Sequence, residues 1–189
     1  MIPDRAEISS SLFGAWRLFR MDADAMSWFD TSMDGFWRSF FAAVIALPTF
    51  ILGFGYHVAT LEAPPNLLVV VLVGGLAYVA SWIVFPVVAA LIVRPMGYGR
   101  TYVPYIVARN WAGGLVALVY LVFEVLVRVG ILGEQISGFV EFILFLVTLW
   151  YGWLVARVAL ETTVSFAAAM VIIGTVIDIF IAYLLFSAV

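Results

Sequence analysis

The chain has 189 residues, 66% hydrophobic and 11% charged, with a net charge of −3 and no cysteine. A soluble domain of this length could not keep that much apolar surface out of water, so the composition points to the membrane class. The missing cysteine excludes a disulfide framework, thiolate catalysis and a cysteine metal site, and the acidic balance leaves no nucleic-acid footprint.

Residues 1–35 read as a cytoplasmic amphipathic lead, and 36–189 as one helical membrane domain. Six acids lie in the lead, and the first apolar run begins only near Phe36, a pattern unlike a cleavable signal peptide. Ser9 to Ser11 offer a cap for a helix beginning near Leu12. Leu12, Trp16, Phe19, Ala23 and Met26 follow at helical spacing, with Arg17, Arg20 and Asp24 off that stripe. This predicts an interfacial helix over 12–29, with Trp16 and Phe19 toward lipid or the edge of the bundle. Asp22, Asp24, Asp30 and Asp34 lack the Gly and the closing Glu of a calcium loop and read as caps and solvated acids.

Five spans follow. The first covers 36–58, with Trp37, Phe40 and Phe41 at one end as an interfacial belt and Pro48 predicting a kink. Pro64 and Pro65 bar helical continuation in the short loop that follows. Residues 67–93 are 27 in a row without a charge, reaching roughly 40 Å as a helix against a hydrocarbon core roughly 30 Å thick. Pro86 predicts a second kink. A Gly- and Arg-rich turn over 94–101 leads to the third span, 102–128. The fourth and fifth cover 136–160 and 165–186. Gly74 and Gly75 in span two, and Gly113 and Gly114 in span three, predict close packing of those two helices.

All nine basic residues are arginines. With the N-terminus inside, Arg5, Arg17, Arg20, Arg38, Arg94, Arg100, Arg109 and Arg157 fall at or near the inner face and only Arg128 outside. That asymmetry predicts a cytoplasmic N-terminus and an outer C-terminus. Arg94, Arg100, Arg109 and Arg157 are candidates for holding anionic lipid headgroups, membrane lipids being the expected partners. A membrane-protein partner or a second copy of the chain is the other expectation.

The catalytic inventory is empty. One histidine, His57, cannot make a two-histidine zinc site, and without Lys there is no phosphate-binding P-loop. Ser137-Gly138 resembles a fragment of the lipid-phosphatase signature, but Phe139 stands where its histidine nucleophile would. No enzyme activity, cofactor or metal is expected.

Glu124, Glu141 and Asp178 are acids within spans three, four and five, where ionisable groups are costly and face the bundle interior or water. Small and polar residues share their stripes: Gly113, Ala117 and Tyr120 with Glu124; Ser137, Thr148 and Gly152 with Glu141; Val171, Gly174, Thr175 and Ala182 with Asp178. Glu124 and Arg128 are spaced to pair directly. The expectation is an outer-half polar cluster of Glu124, Arg128, Glu141 and Asp178. It serves either as polar glue between spans three, four and five, or as a pocket for a proton, a cation or a small polar ligand.

The layout of an amphipathic lead, five closely spaced spans and an outer C-terminus resembles the Yip family, whose eukaryotic members bind Ypt/Rab GTPases. The segment Thr101-Tyr-Val-Pro-Tyr-Ile-Val-Ala-Arg-Asn-Trp111 is similar to the stretch opening that family's third span. The Asp-Leu-Tyr-Gly-Pro motif of the eukaryotic members is absent. The lead, from Gly14-Ala-Trp-Arg to Gly35-Phe-Trp-Arg-Ser, is also similar to small inner-membrane proteins of alphaproteobacteria. The resemblance implies a non-enzymatic five-span protein of a bacterial inner membrane that organises protein partners or lipids. The three acids keep a small transporter or proton-linked channel open beside it. A closed bundle with its acids paired would favour the first reading, and a cavity reaching Asp178 or Glu124 the second.

Overall fold

The computed structural model describes residues 2–22 and 24–189, and of Glu134 the backbone alone. Helix α1 spans Arg5–Phe19, α2 Met33–Ser39, α3 Ala42–Ala59, α4 Leu67–Val93, α5 Tyr102–Arg128, α6 Glu134–Ala159 and α7 Val164–Ser187. Among the described residues there is no strand. The chain is an all-α polytopic protein in which five segments are long and apolar enough to cross a membrane: Met33–Ala59, Leu67–Tyr98, Tyr102–Arg128, Gln135–Ala159 and Val164–Ser187. The first of these begins inside the expected lead, so the boundary at residue 35 falls within a helix.

The lead differs from the expected single helix over 12–29. Its helix starts a full two turns earlier, because Asp4 accepts a hydrogen bond from the Glu7 N–H at 2.7 Å and caps it. It ends at Phe19 because Met21 takes a left-handed conformation, φ 59°. The Asp22 N–H then returns to the Arg17 carbonyl at 3.1 Å and the Met21 N–H to Leu18 at 2.9 Å, closing the helix in a motif that usually uses glycine. A short 3-10 turn, Ala25–Trp28, folds back along α1. Ala23, on the expected stripe, lies outside the described residues. Ser11, Gly14, Ala15 and Leu18 face inward. Trp16 and Phe13 stay exposed, while Phe19 packs edge-on against Trp150 and Tyr151 of α6.

The lead is bonded to the spans, not merely laid beside them. The Tyr151 hydroxyl donates to the Ala15 carbonyl at 2.6 Å. Arg38 of α2 bonds Glu7 of α1 at 2.7 Å and also pairs with Asp30. Burying part of an arginine here is tolerable because two carboxylates surround it.

The spans form a ring in the order α3, α5, α6, α7, α4. Here the glycine expectation is corrected. Spans two and three do not pack through paired glycines. Gly74 meets the Phe54 ring of α3, where an added Cβ would lie 2.6 Å from Cε1. Gly114 meets Ala42 of α3, where an added Cβ would lie 3.2 Å from its Cβ. Gly75 has nothing within 4 Å, and Gly113 has only Cη2 of Trp82 at 3.7 Å. The first span is therefore the partner of one glycine from each pair, because its Phe54 and Ala42 match Gly74 and Gly114, while Gly113 alone touches the expected neighbour, at Trp82 of α4. The Thr49 hydroxyl, donating to the Ala117 carbonyl at 2.8 Å, adds a polar tie between α3 and α5.

Candidate functional site

Two cavities, of about 240 Å³ and about 340 Å³, lie inside the ring. The first is walled by α5, α6 and α7, with Tyr105, Thr148, Gly152, Met170, Gly174 and Thr175 among its residues. The second is walled by α3, α4, α5 and α7, including Thr49, Ser81, Trp82, Asn110 and Tyr120. Arg109, Gly113, Val116 and Asp178 line both. All five spans thus surround one arginine and one aspartate.

Each wall follows from its sequence. On α5, Arg109, Gly113 and Val116 recur at helical spacing and project from one face. On α7, Val171, Gly174, Thr175 and Asp178 do the same. Pro86 of α4 lacks an N–H and so leaves the Trp82 carbonyl without its usual helical donor, and both residues line the second cavity. Asn110 donates to the Ser39 hydroxyl at 2.9 Å, which fixes the floor of that cavity against α2.

Arg109 is held by shape. Its guanidinium carbon lies 3.6 Å from the centroid of the Phe85 ring on α4. Across from it, a Cβ on Gly174 would come within 3.1 Å of Nη2 and 3.1 Å of Phe85 Cε2. The missing side chain at Gly174 is therefore the slot that admits the guanidinium. A desolvated cation over an aromatic face gains about 2 kcal/mol. An arginine at membrane depth costs roughly 3 kcal/mol on insertion scales, so the ring alone does not offset it. Among the described residues, no ion pair is made by Arg109 or Asp178. The guanidinium and the Asp178 carboxyl share a pair of cavities without closing on each other.

The expected four-residue cluster divides. Glu124 and Arg128 form an ion pair on α5. Arg128 also donates to the Leu52 carbonyl of α3 at 3.2 Å and lies 4.7 Å from the centre of the Tyr56 ring, so the pair ties span three to span one. Glu141 is exposed on α6 and belongs to neither cavity wall. Asp178 instead faces Arg109, which the sequence placed at the inner face. Arg109 lies seven residues into α5, roughly 10 Å along its axis, and turns inward.

The other lipid-headgroup candidates expected at the inner face stay outside the ring. Arg94 and Arg100 are exposed, with Arg94 5.3 Å from the Tyr102 ring centre. Arg157 donates to the Thr162 carbonyl and closes the turn after α6. A legible signal for Arg109 did exist: the stripe Gly113, Ala117, Tyr120 reaches it when extended one turn toward the N-terminus.

No family model, curated protein or solved structure matches this chain. The site is therefore read from its own chemistry.

Proposed function

We propose that the protein is a small transporter of the bacterial inner membrane, with its N-terminus cytoplasmic, which passes a polar solute through the crevice around Arg109 and Asp178. One observation carries the reading: two adjoining cavities, lined between them by all five spans, share Arg109 and Asp178, which among the described residues form no ion pair. A scaffold needs no such interior. It would gain stability by closing it, as the Glu124–Arg128 pair does elsewhere in the bundle.

The absence of cysteine makes the test direct, because any introduced thiol is the only one. A thiol reacts with methanethiosulfonates as the thiolate, which requires water. Thr175→Cys lines the first cavity, while Val176→Cys points away and is 60% exposed on the lipid-facing side of the same helix. In oriented membrane vesicles, a membrane-impermeant methanethiosulfonate should label Thr175→Cys from both faces and leave Val176→Cys unlabelled. An inert Thr175→Cys, or one labelled from a single face only, would overturn transport.

A second reading has one observation in its favour. Phe13, Trp16 and Trp28 stay exposed on the lead, with Phe13 and Trp28 edge-to-face at 4.7 Å. That aromatic surface suits an organising role of the Yip type, docking a protein or lipid partner at the inner face. Trp28→Ser should then weaken co-purification with a membrane partner while leaving the labelling of Thr175→Cys intact.

A further inference from the structure

We infer that the crevice binds a small zwitterion, with its anionic group on Arg109 and its cationic group on Asp178. This rests on the transporter reading and names the solute class.

The two walls supply opposite charges from facing helices, α5 and α7, in cavities of about 240 Å³ and about 340 Å³. The guanidinium presents a planar fork of donors suited to a carboxylate. Its ring contact with Phe85 and the slot at Gly174 orient it without occupying it through an ion pair. Asp178 offers acceptor oxygens one helical turn beyond Gly174. A lone anion at Arg109 would sit beside the Asp178 carboxylate, and a lone cation at Asp178 beside the guanidinium. Each would add a net charge to a low-dielectric interior. A zwitterion satisfies both groups and leaves the crevice neutral. The apolar part of such a solute would lie along Val116, the one apolar side chain common to both cavities. Tyr105 and Thr148 bring hydroxyls to the first cavity.

The probes are a homologous series with growing charge separation: glycine, β-alanine, γ-aminobutyrate and ε-aminocaproate, with butyrate and propylamine as single-charge controls. The readout is slowing of methanethiosulfonate labelling at Thr175→Cys in the full-length protein. One spacing in the series should protect best. Its single-charge counterparts should protect at about a tenfold higher concentration or worse, because each lacks one charge-assisted contact. Arg109→Gln and Asp178→Asn should each abolish the spacing preference, and Arg109→Lys should retain part of it. Labelling of the thiol in each variant reports that the crevice still forms. If butyrate alone protects as well as the amino acids, the site takes anions and the inference fails. If propylamine alone does so, it takes cations and the inference also fails. Reactive Thr175→Cys with no protection by any zwitterion overturns the inference and leaves the transporter reading standing. An unreactive thiol overturns both.

Discussion

Helix α5 carries two arginines in membrane-depth surroundings, and they are treated oppositely. Arg128, at its last turn, is closed: Glu124 pairs with it, the Leu52 carbonyl accepts from it and Tyr56 covers it. Arg109, seven residues into the helix, is open: Phe85 supports one face, Gly174 makes room, and Asp178 across the crevice does not bridge to it. The same residue type is a structural fastener at one end and an available charge at the other. What differs is whether the helix itself supplies a carboxylate one turn away. Glu124 is four residues before Arg128, whereas Tyr105 occupies the corresponding place before Arg109.

The largest effect should come from breaking the closed pair. Glu124→Ala leaves Arg128 charged with only carbonyl and ring partners, and its Nε already has no partner. Orphaning one member of a sheltered ion pair costs roughly 3 kcal/mol. The melting temperature in detergent should fall by several degrees, with α3 and α5 separating first. An unchanged melting temperature would mean that Arg128 is fully solvated and no fastener.

Arg109→Gln should behave differently. It removes a cation–π contact worth about 2 kcal/mol and also an intramembrane charge that costs roughly 3 kcal/mol. The two nearly cancel, so stability should stay within about 1 kcal/mol of the parent. A loss as large as that of Glu124→Ala would place Arg109 among the fasteners and erase the contrast. Gly174→Ala is milder still in chemistry but aimed at the same slot. Its Cβ, at 3.1 Å from both Nη2 and Phe85 Cε2, forces the guanidinium or the ring to give by a few tenths of an ångström. Overpacking of this kind costs about 1 kcal/mol. The variant should stay folded and lose protection by the best zwitterion, showing that the slot, not only the charge, is required.

The spans were legible because hydrocarbon imposes one demand along the whole chain, and uncharged runs bounded by Pro, Gly and Arg answer it. The second and third spans fall at 67–93 and 102–128 in both sequence and structure. The inward stripes of α5 and α7 were legible for the same reason, since small residues recur on one face around Gly113 and Gly174. Neighbour choice was not. A Gly pair announces a notch but not which helix fills it, and α3 supplied Ala42 and Phe54 where α4 was expected against α5. Nor was the partner of Asp178. Counting residues from the helix ends put Arg109 and Asp178 at different depths, but an arginine side chain climbs several ångströms along its helix, and the empty position at Gly174 lets it do so. The lead's helix end was hidden too, because Met21 takes a left-handed turn that sequence patterns assign to Gly or Asn.

The smallest predicted effect lies outside the crevice and sharpens the contrast from the side of the closed contacts. The lead is fastened by acids that work as Glu124 does. Hydrogen bonds from Ser32, with the nearby Arg38, hold the Asp30 carboxyl below its ordinary value of 3.8. The Asp24 N–H and Arg17 do the same for Asp22. A carboxyl whose value is lowered on folding contributes stability that is complete above its ordinary value and fades as pH falls through the lowered one, because the unfolded lead then binds protons more readily. Amide protection factors in α1 and α2 should therefore hold from about pH 7 to about pH 5 and decline toward about pH 3. Asp30→Asn should remove much of that decline by lowering protection at neutral pH. The α7 amides around Asp178 carry no such fastening and should not follow the same curve. A lead whose protection is flat down to about pH 3 would mean that Asp22 and Asp30 are solvated caps. Among the described residues, the closed arginine ion pairs left would then be Arg128 with Glu124 and Arg38 with Glu7.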